Sequence, residues 1–176
     1  MALIIEGPDN SGKSTLATRL SLTYNIPVIH SGGPGKPEDV EERIRLDIDR
    51  AQQRVIMDRS FIISDSVYST CCRGKQLFDP VKQLRKLAKI LEEDSHSLLI
   101  FCTADYATLT DLEGHKAKSY ETEEHVAQVR NVADNIIQYY DRLAFSLVHF
   151  GNAIVCNPRE DSEEIISYVG DILNEK

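Results

Sequence analysis

Short apolar runs alternate along this chain with segments whose apolar residues recur at helical spacing. By that pattern Ala2 to Ile5 is a buried first strand, Lys13 to Thr23 a helix and Pro27 to His30 a short second strand. The Gly- and Pro-rich stretch from Ser31 to Pro37 reads as a loop. Glu38 to Gln53 is a charged segment with Val40, Ile44 and Ile48 at near-helical spacing. Val55, Ile56 and Met57 then predict a third strand that ends on Asp58. Val81, Leu84, Leu87 and Leu91 form the apolar stripe of the next long helix and are expected in the core. Ser97 to Cys102 supplies a fourth buried strand. Val126, Val129, Ala133, Ile136, Ile137, Tyr140, Leu143 and Leu147 mark one long helical stripe. Ala153 to Cys156 is a fifth strand, and Ile165, Ile166, Val169 and Ile172 mark a C-terminal helix. Strand and helix in alternation predict an α/β fold, a five-stranded parallel sheet flanked by helices. No repeat or linker divides the chain, and 176 residues fit a single domain over 1–176.

Composition narrows the class. Hydrophobic residues make up 41% and charged residues 27%, as in ordinary water-soluble domains, and no apolar run approaches the length of a bilayer span. Met1 to Glu6 lacks the basic start and long apolar stretch of a signal peptide, so a cytoplasmic location is expected, with no membrane partner. The cysteines at 71, 72, 102 and 156 have neither zinc nor Cys-x-x-Cys spacing, and read as buried thiols in a reducing compartment. His115, His125 and His149 show no metal-ligand spacing with them. The net charge of −8 disfavours non-specific binding to a polyanion, while a local basic groove stays open.

The chemistry enters at Gly7-Pro8-Asp9-Asn10-Ser11-Gly12-Lys13-Ser14, a complete G-x-x-x-x-G-K-[ST] loop between an apolar strand and a helix. Its glycines let the backbone close around phosphate oxygens. Its N–H groups, Asn10 and Ser11 among them, point inward, and the helix start adds partial positive charge. Lys13 is expected to bridge the β- and γ-phosphates of ATP. Ser14 is expected to ligate Mg²⁺, and Thr15 to hold the α-phosphate or the loop. The fold expected is therefore that of P-loop NTPases. Such a loop alone does not separate kinases from GTPases, ATPases or motors. Asp58-Arg59 is the second motif. An acid at the end of an apolar strand can hold Mg²⁺ through water or orient an acceptor, and the adjacent arginine can grip a phosphate with two prongs. The bland reading of that dipeptide is a surface ion pair.

Together these blocks resemble the thymidylate-kinase-like branch of the nucleoside monophosphate kinases, in its short phage-type form. Ile5-Glu6-Gly7-Pro8-Asp9 resembles the opening of that family, and Asp58-Arg59 through Ser64-Asp65-Ser66-Val67-Tyr68 resembles its second block. Tyr139-Tyr140-Asp141 agrees weakly. The resemblance implies that Asp9 approaches the acceptor sugar, that Asp58 serves the metal or the acceptor hydroxyl, and that Arg59 binds the acceptor phosphate. Ser64 and Tyr68 would line the acceptor pocket. The loop from His30 to Lys36 sits where such kinases close over the acceptor. It implies an acceptor contact for His30 and a phosphate grip for Lys36, or else a simple flexible connection. The acceptor-binding segments would then span about 30–75, and a lid about 103–125.

Two departures bear on the substrate. The Asp-Arg block is one residue longer than in the family, with Ser60 where an aromatic is expected and Phe61 next. The lid, Thr103 to His125, carries Lys116 and Lys118 but no arginine, so Lys118, Lys116 or Arg130 would have to neutralise the transferring group. Arg73 and Lys75 form a further small basic cluster, either a phosphate contact or a solvated helix end. The resemblance implies an ATP- and Mg²⁺-dependent kinase whose acceptor is a deoxynucleoside monophosphate, with a pyrimidine expected. Phage relatives suggest an alternative acceptor, a 5-hydroxymethyl pyrimidine base in DNA, which the departures favour and the acidic net charge disfavours. A nucleotide-hydrolysing switch is the third reading. It lacks a guanine-reading Asn/Thr-Lys-x-Asp segment after Leu98 to Cys102 or Ile154 to Cys156. The related kinases often pair through helices, which leaves a homodimer open.

Overall fold

Successive residues of a strand point to opposite faces, so a strand apolar at every position must be covered on both sides. Strand β1 (Ala2–Glu6) is such a strand, buried throughout. Ala2 and Ile4 face one core, and Leu3 and Ile5 the other. Around it the computed structural model, which describes residues 1–31, 36–110, 123–148 and 152–174, places β2 (Val28–His30), β3 (Val55–Asp58), β4 (Leu98–Cys102) and β5 (Ala153–Cys156). All four pairings are parallel, and the strand order is β2-β3-β1-β4-β5. The chain thus winds from β1 toward the β2 edge and later crosses to β4 and β5. The crevice at the carboxyl ends of the strands where such winding reverses is the usual ligand site of open α/β sheets.

Helices α1 (Lys13–Tyr24) and α8 (Ser162–Asn174) cover one face through Leu16, Ala17, Leu20, Ile165 and Val169. The other face carries α2 (Val40–Ala51), α3 (Phe61–Tyr68), α4 (Pro80–Glu93), α6 (Glu123–Asn131) and α7 (Ala133–Val148), with the short α5 (Tyr106–Leu109) after β4. Each fully buried Leu or Ile in these layers stabilises by roughly 1.5–3 kcal/mol. None of the helices among the described residues is long and apolar enough to cross a membrane.

Several expectations need correcting. Val81 is 55% exposed because it lies in the first turn of α4, behind the Asp79 cap and Pro80, and the buried stripe begins at Leu84. The helix expected at Glu38 starts with a 3₁₀ turn over Pro37–Asp39, and α2 proper begins at Val40. The long stripe from Val126 is two helices, broken at Val132, whose N–H takes the tighter i−3 partner Val129. Only Cys102 and Cys156 are buried, while Cys71 and Cys72 are half-buried on a widened π-type turn over Ser69–Arg73. Neither α3 nor this turn follows from apolar spacing, because Phe61, Ile62, Ile63 and Val67 are buried all round the helix.

Candidate active site

Strand parity sets the site. Glu6 continues the Ala2–Ile4 face of β1, toward α3 and α7, whereas Asp58 continues the Ile56 face of β3, toward α1. The two acids at the sheet's carboxyl edge therefore serve opposite sides of the phosphate loop.

The loop is built on three left-handed or positive-φ positions, Gly7, Asn10 at φ +61° and Gly12. Gly7 has φ +144°, and a Cβ there would lie 2.2 Å from the carbonyl oxygen of Cys102 on the neighbouring strand, so the position admits only glycine. Gly12 has φ +86° and caps α1 with no side-chain partner for the first N–H groups and no acid in the first turn. The positive end of α1 is left for an anion to complete. Lys13 is 5% exposed. Its ammonium donates to the Pro8 carbonyl and to Ser11 Oγ at 3.1 Å, curled along the inside of the loop. Burial, with the positive charge of Arg59 adding to it, lowers its pKa to about 8, which an incoming phosphate would reverse. Asn10 is held from both sides: its side chain donates to Thr108 O at 3.3 Å, and its carbonyl accepts from Arg159 at 3.3 Å. Thr15 is exposed on the first turn of α1.

On the α1 side, Ser14 Oγ donates to Asp58 Oδ2 at 2.7 Å, and His30 Nδ1 meets the same oxygen at 2.8 Å. A hydroxyl and a carboxylate are hard oxygen donors of the kind Mg²⁺ takes, and this ion ordinarily completes its shell with water and phosphate oxygens. Ser14 and Asp58 fit that role as a pair. Among the described residues no group of three or more His, Cys, Asp or Glu could hold a metal.

On the α3 side lies a second constellation. Arg59 pairs with Asp9, Tyr68 donates its hydroxyl to the other Asp9 oxygen at 2.8 Å, and Arg59 Nη1 reaches Ser64 Oγ at 3.4 Å. The guanidinium also sits 5.8 Å from the centre of the Tyr68 ring. Burial would pull the Arg59 pKa down, but Asp9, Tyr68, Tyr140 and Glu6 together more than offset it and hold it well above its ordinary value. Tyr68 is pushed well above its ordinary value, first by burial and then by Asp9, and stays a donor. Arg59 holds φ +76°, a left-handed conformation rare outside glycine.

The sequence-predicted residues thus fall into two groups that meet at Asp58-Arg59: Lys13, Ser14, Asp58 and His30 on one side, Asp9, Arg59, Ser64 and Tyr68 on the other. Lys36 is exposed at the start of the Pro37–Asp39 turn, apart from both. Lys116 and Lys118 lie outside the described residues. Arg130 donates to Thr110 O at 3.1 Å. Arg73 stays exposed at the end of its turn, with its guanidinium 2.5 Å from Asp65 and 2.7 Å from Ser69 Oγ. Lys75 is exposed.

Two acids escaped the sequence reading of the site. Glu6, fully buried, lies beneath both groups, and burial raises its pKa to about 7 against the opposing charges of Arg59 and Lys13. Asp47 of α2, 1% exposed, accepts from Ser60 Oγ at 2.6 Å and from Ile62 N–H at 3.0 Å, which fixes the start of α3. The available signal was the same in both cases, an acid at a position whose neighbours by strand or helix period are core residues.

No family model matches the chain, and no curated protein matches it in sequence. Solved structures do. The YorR protein of Bacillus subtilis, determined with phosphorylated GDP, superposes with a TM-score of 0.68 at 21% identity, over 98% of this chain and 95% of that one. Deoxyadenosine kinase of M. mycoides with bound dATP gives 0.59 at 14% identity, over 99% and 100%. Shikimate kinase of Acinetobacter baumannii with shikimate gives 0.55 at 11%, over 99% and 95%. The chain shares the fold of these structures. Its five-stranded parallel sheet and flanking helices are the architecture read from the sequence.

Proposed function

We propose that the protein is a phosphotransferase that moves the γ-phosphoryl group of Mg²⁺·ATP to a nucleotide-like acceptor, with a pyrimidine deoxynucleoside monophosphate as the leading candidate. The observation that carries the reading is the junction at Asp58-Arg59. Asp58 accepts from the Ser14 hydroxyl, and Arg59 pairs with Asp9 in a cluster with Ser64 and Tyr68 that is the candidate acceptor pocket. Donor and acceptor groups are thereby held side by side at one sheet edge, and phosphoryl transfer needs little from a protein besides such positioning and charge neutralisation.

In this account the ATP phosphates enter the loop, and Lys13 exchanges Pro8 and Ser11 for the β- and γ-oxygens. Ser14 and Asp58 hold Mg²⁺, which when bound neutralises charge on those oxygens. Arg59 binds the acceptor phosphate, Asp9 a sugar hydroxyl, and Tyr68 packs beside the acceptor. An acceptor oxygen forms the bond to the γ-phosphorus as the bond to the β,γ-bridging oxygen breaks, and ADP leaves.

A hydroxyl acceptor is the second reading, and the pairing of Arg59 with Asp9 favours it, since that pair leaves the described pocket without a surplus cation for a phosphate. Deoxyadenosine kinase and shikimate kinase are named for compounds that carry hydroxyls and no phosphate, in line with this reading. A 5-hydroxymethyl pyrimidine in DNA is the acceptor of that kind indicated by the sequence. Labelled ATP offered with deoxynucleoside monophosphates, deoxynucleosides and DNA bearing hydroxymethylated pyrimidines decides between them. Label on a monophosphate supports the leading reading. Label on a nucleoside or the DNA alone replaces it, and in the DNA case activity should fall steeply with salt.

A further inference from the structure

Glu6 is fully buried at the end of β1, where an apolar side chain would satisfy the core. Its carboxylate instead collects donors from three separate segments. Oε1 accepts from Ser60 N–H at 2.5 Å and Ser64 Oγ at 3.1 Å. Oε2 accepts from Gly7 N–H at 3.2 Å, Ser64 Oγ at 3.2 Å and Tyr140 Oη at 3.3 Å. Those segments are the phosphate loop, the turn into α3, and α7. A buried carboxylate with that many donors is costly to place and strongly orienting once placed.

The orientation bears on Arg59. Its left-handed φ of +76° belongs to conformations that cost about 1–3 kcal/mol and persist only where the surroundings over-determine them. The two peptide N–H groups flanking its Cα are both held by β1, Arg59 N–H by Ile5 O at 3.0 Å and Ser60 N–H by Glu6 Oε1 at 2.5 Å. Its side chain is steadied by Ser64 Oγ, which stands between Arg59 Nη1 and the Glu6 carboxylate. Resting on the reading of Arg59 as the acceptor-binding arginine, we propose that Glu6 is the positioning residue that locks Arg59 into the acceptor site, acting through the Ser60 backbone and the Ser64 hydroxyl without touching substrate. The burial-raised pKa of Glu6 accords with so enclosed a carboxyl.

The test has a kinetic arm and an arm that needs no turnover. Glu6→Ala should raise the acceptor KM by roughly tenfold or more, the loss of a buried hydrogen bond to a charged group, while the ATP KM stays within about twofold. Glu6→Gln, which keeps an oxygen for Ser60 N–H, should restore most of the loss. In an Arg59→Ala background Glu6→Ala should add almost nothing, because its effect runs through Arg59. Amide hydrogen exchange at Ser60 should accelerate at least about tenfold in Glu6→Ala relative to Ile100 in β4. Should Glu6→Ala not fold, Ser64→Ala keeps the carboxylate, removes the side-chain link and is put through the same cycle. Effects that add to those of Arg59→Ala, equal rises in both KM values, or unchanged Ser60 exchange each overturn the proposal. If Arg59→Ala leaves the acceptor KM unaltered while Ser60 exchange still accelerates, it is the acceptor reading that fails, and the proposed role falls with it.

Discussion

Gly7→Ala is the perturbation whose size the structure fixes most closely. The added Cβ would stand 2.2 Å from Cys102 O and 3.1 Å from its carbonyl carbon, where ordinary contact begins at 3.4 Å, so something must move by about 1 Å. Neither side can give cheaply. Cys102 is held in register with Cys156, and Gly7 is tied by its N–H to Glu6. The φ of +144° adds backbone strain of about 1–3 kcal/mol for any residue with a Cβ. A displacement of about 1 Å in a loop that positions reacting phosphates can cost on the order of 10²-fold in turnover. Urea denaturation should show a midpoint lower by roughly 1 M at unchanged slope, together with that loss of activity. Gly74→Ala supplies the control, since its φ is also positive at +62° but nothing lies within 4 Å of the added carbon, so strain without collision should leave activity intact. A Gly7→Ala protein with wild-type midpoint and turnover would refute the close approach of the loop to β4.

Lys13→Ala should lower turnover on the order of 10²-fold or more, while its denaturation midpoint is no lower than that of the wild type, because burial of the ammonium is unfavourable in the free protein. Asp58→Asn should mainly lower kcat and raise the Mg²⁺ requirement, whereas Arg59→Ala should mainly raise the acceptor KM, and steady-state kinetics with both substrates varied separates the two. Stability should also depend on pH through Glu6. Its folded pKa of about 7 lies above the ordinary 4.5, so the folded protein binds the extra proton and the contribution, full below 4.5, is lost as pH rises through about 7. Denaturation of wild type and Glu6→Gln across that window should show a steeper decline in the wild type, by on the order of a few kcal/mol in all, and parallel curves would contradict the burial of the carboxyl.

The sheet and its covering helices were legible because each has a local signature, and so was the candidate phosphate loop as a motif. Ala2 to Ile5 is apolar at every position, as a strand covered on both faces must be, and Gly7 to Ser14 has a spacing dictated by phosphate geometry. The pairing of Ser14 with Asp58 needed the strand order, which the structure supplies: β3 lies beside β1, so Asp58 at its end meets the loop that follows β1. What escaped depends on tertiary burial. Helix α3 is buried on nearly every side, Asp65 and Ser66 among its apolar residues, and so has no period to read, and the break at Val132 carries neither proline nor glycine to announce it. The contact of Arg73 with Asp65 depends on the π-type turn over Ser69–Arg73, which no local pattern announces. Glu6 was visible as a letter in a motif, but its role depends on Ser60, Ser64 and Tyr140 converging on it, up to 134 residues away in the chain.

The central claim is that this loop delivers the γ-phosphoryl group, and not merely that it binds a nucleotide. Wild-type protein incubated with Mg²⁺ and a panel of acceptors should receive ATP labelled at the γ-phosphate in one set and at the α-phosphate in another. The account predicts label on one acceptor class from γ-labelled ATP alone, with stoichiometric ADP, and its loss in Lys13→Ala. Acceptor-independent release of inorganic phosphate, or label transferred from the α position, would contradict it.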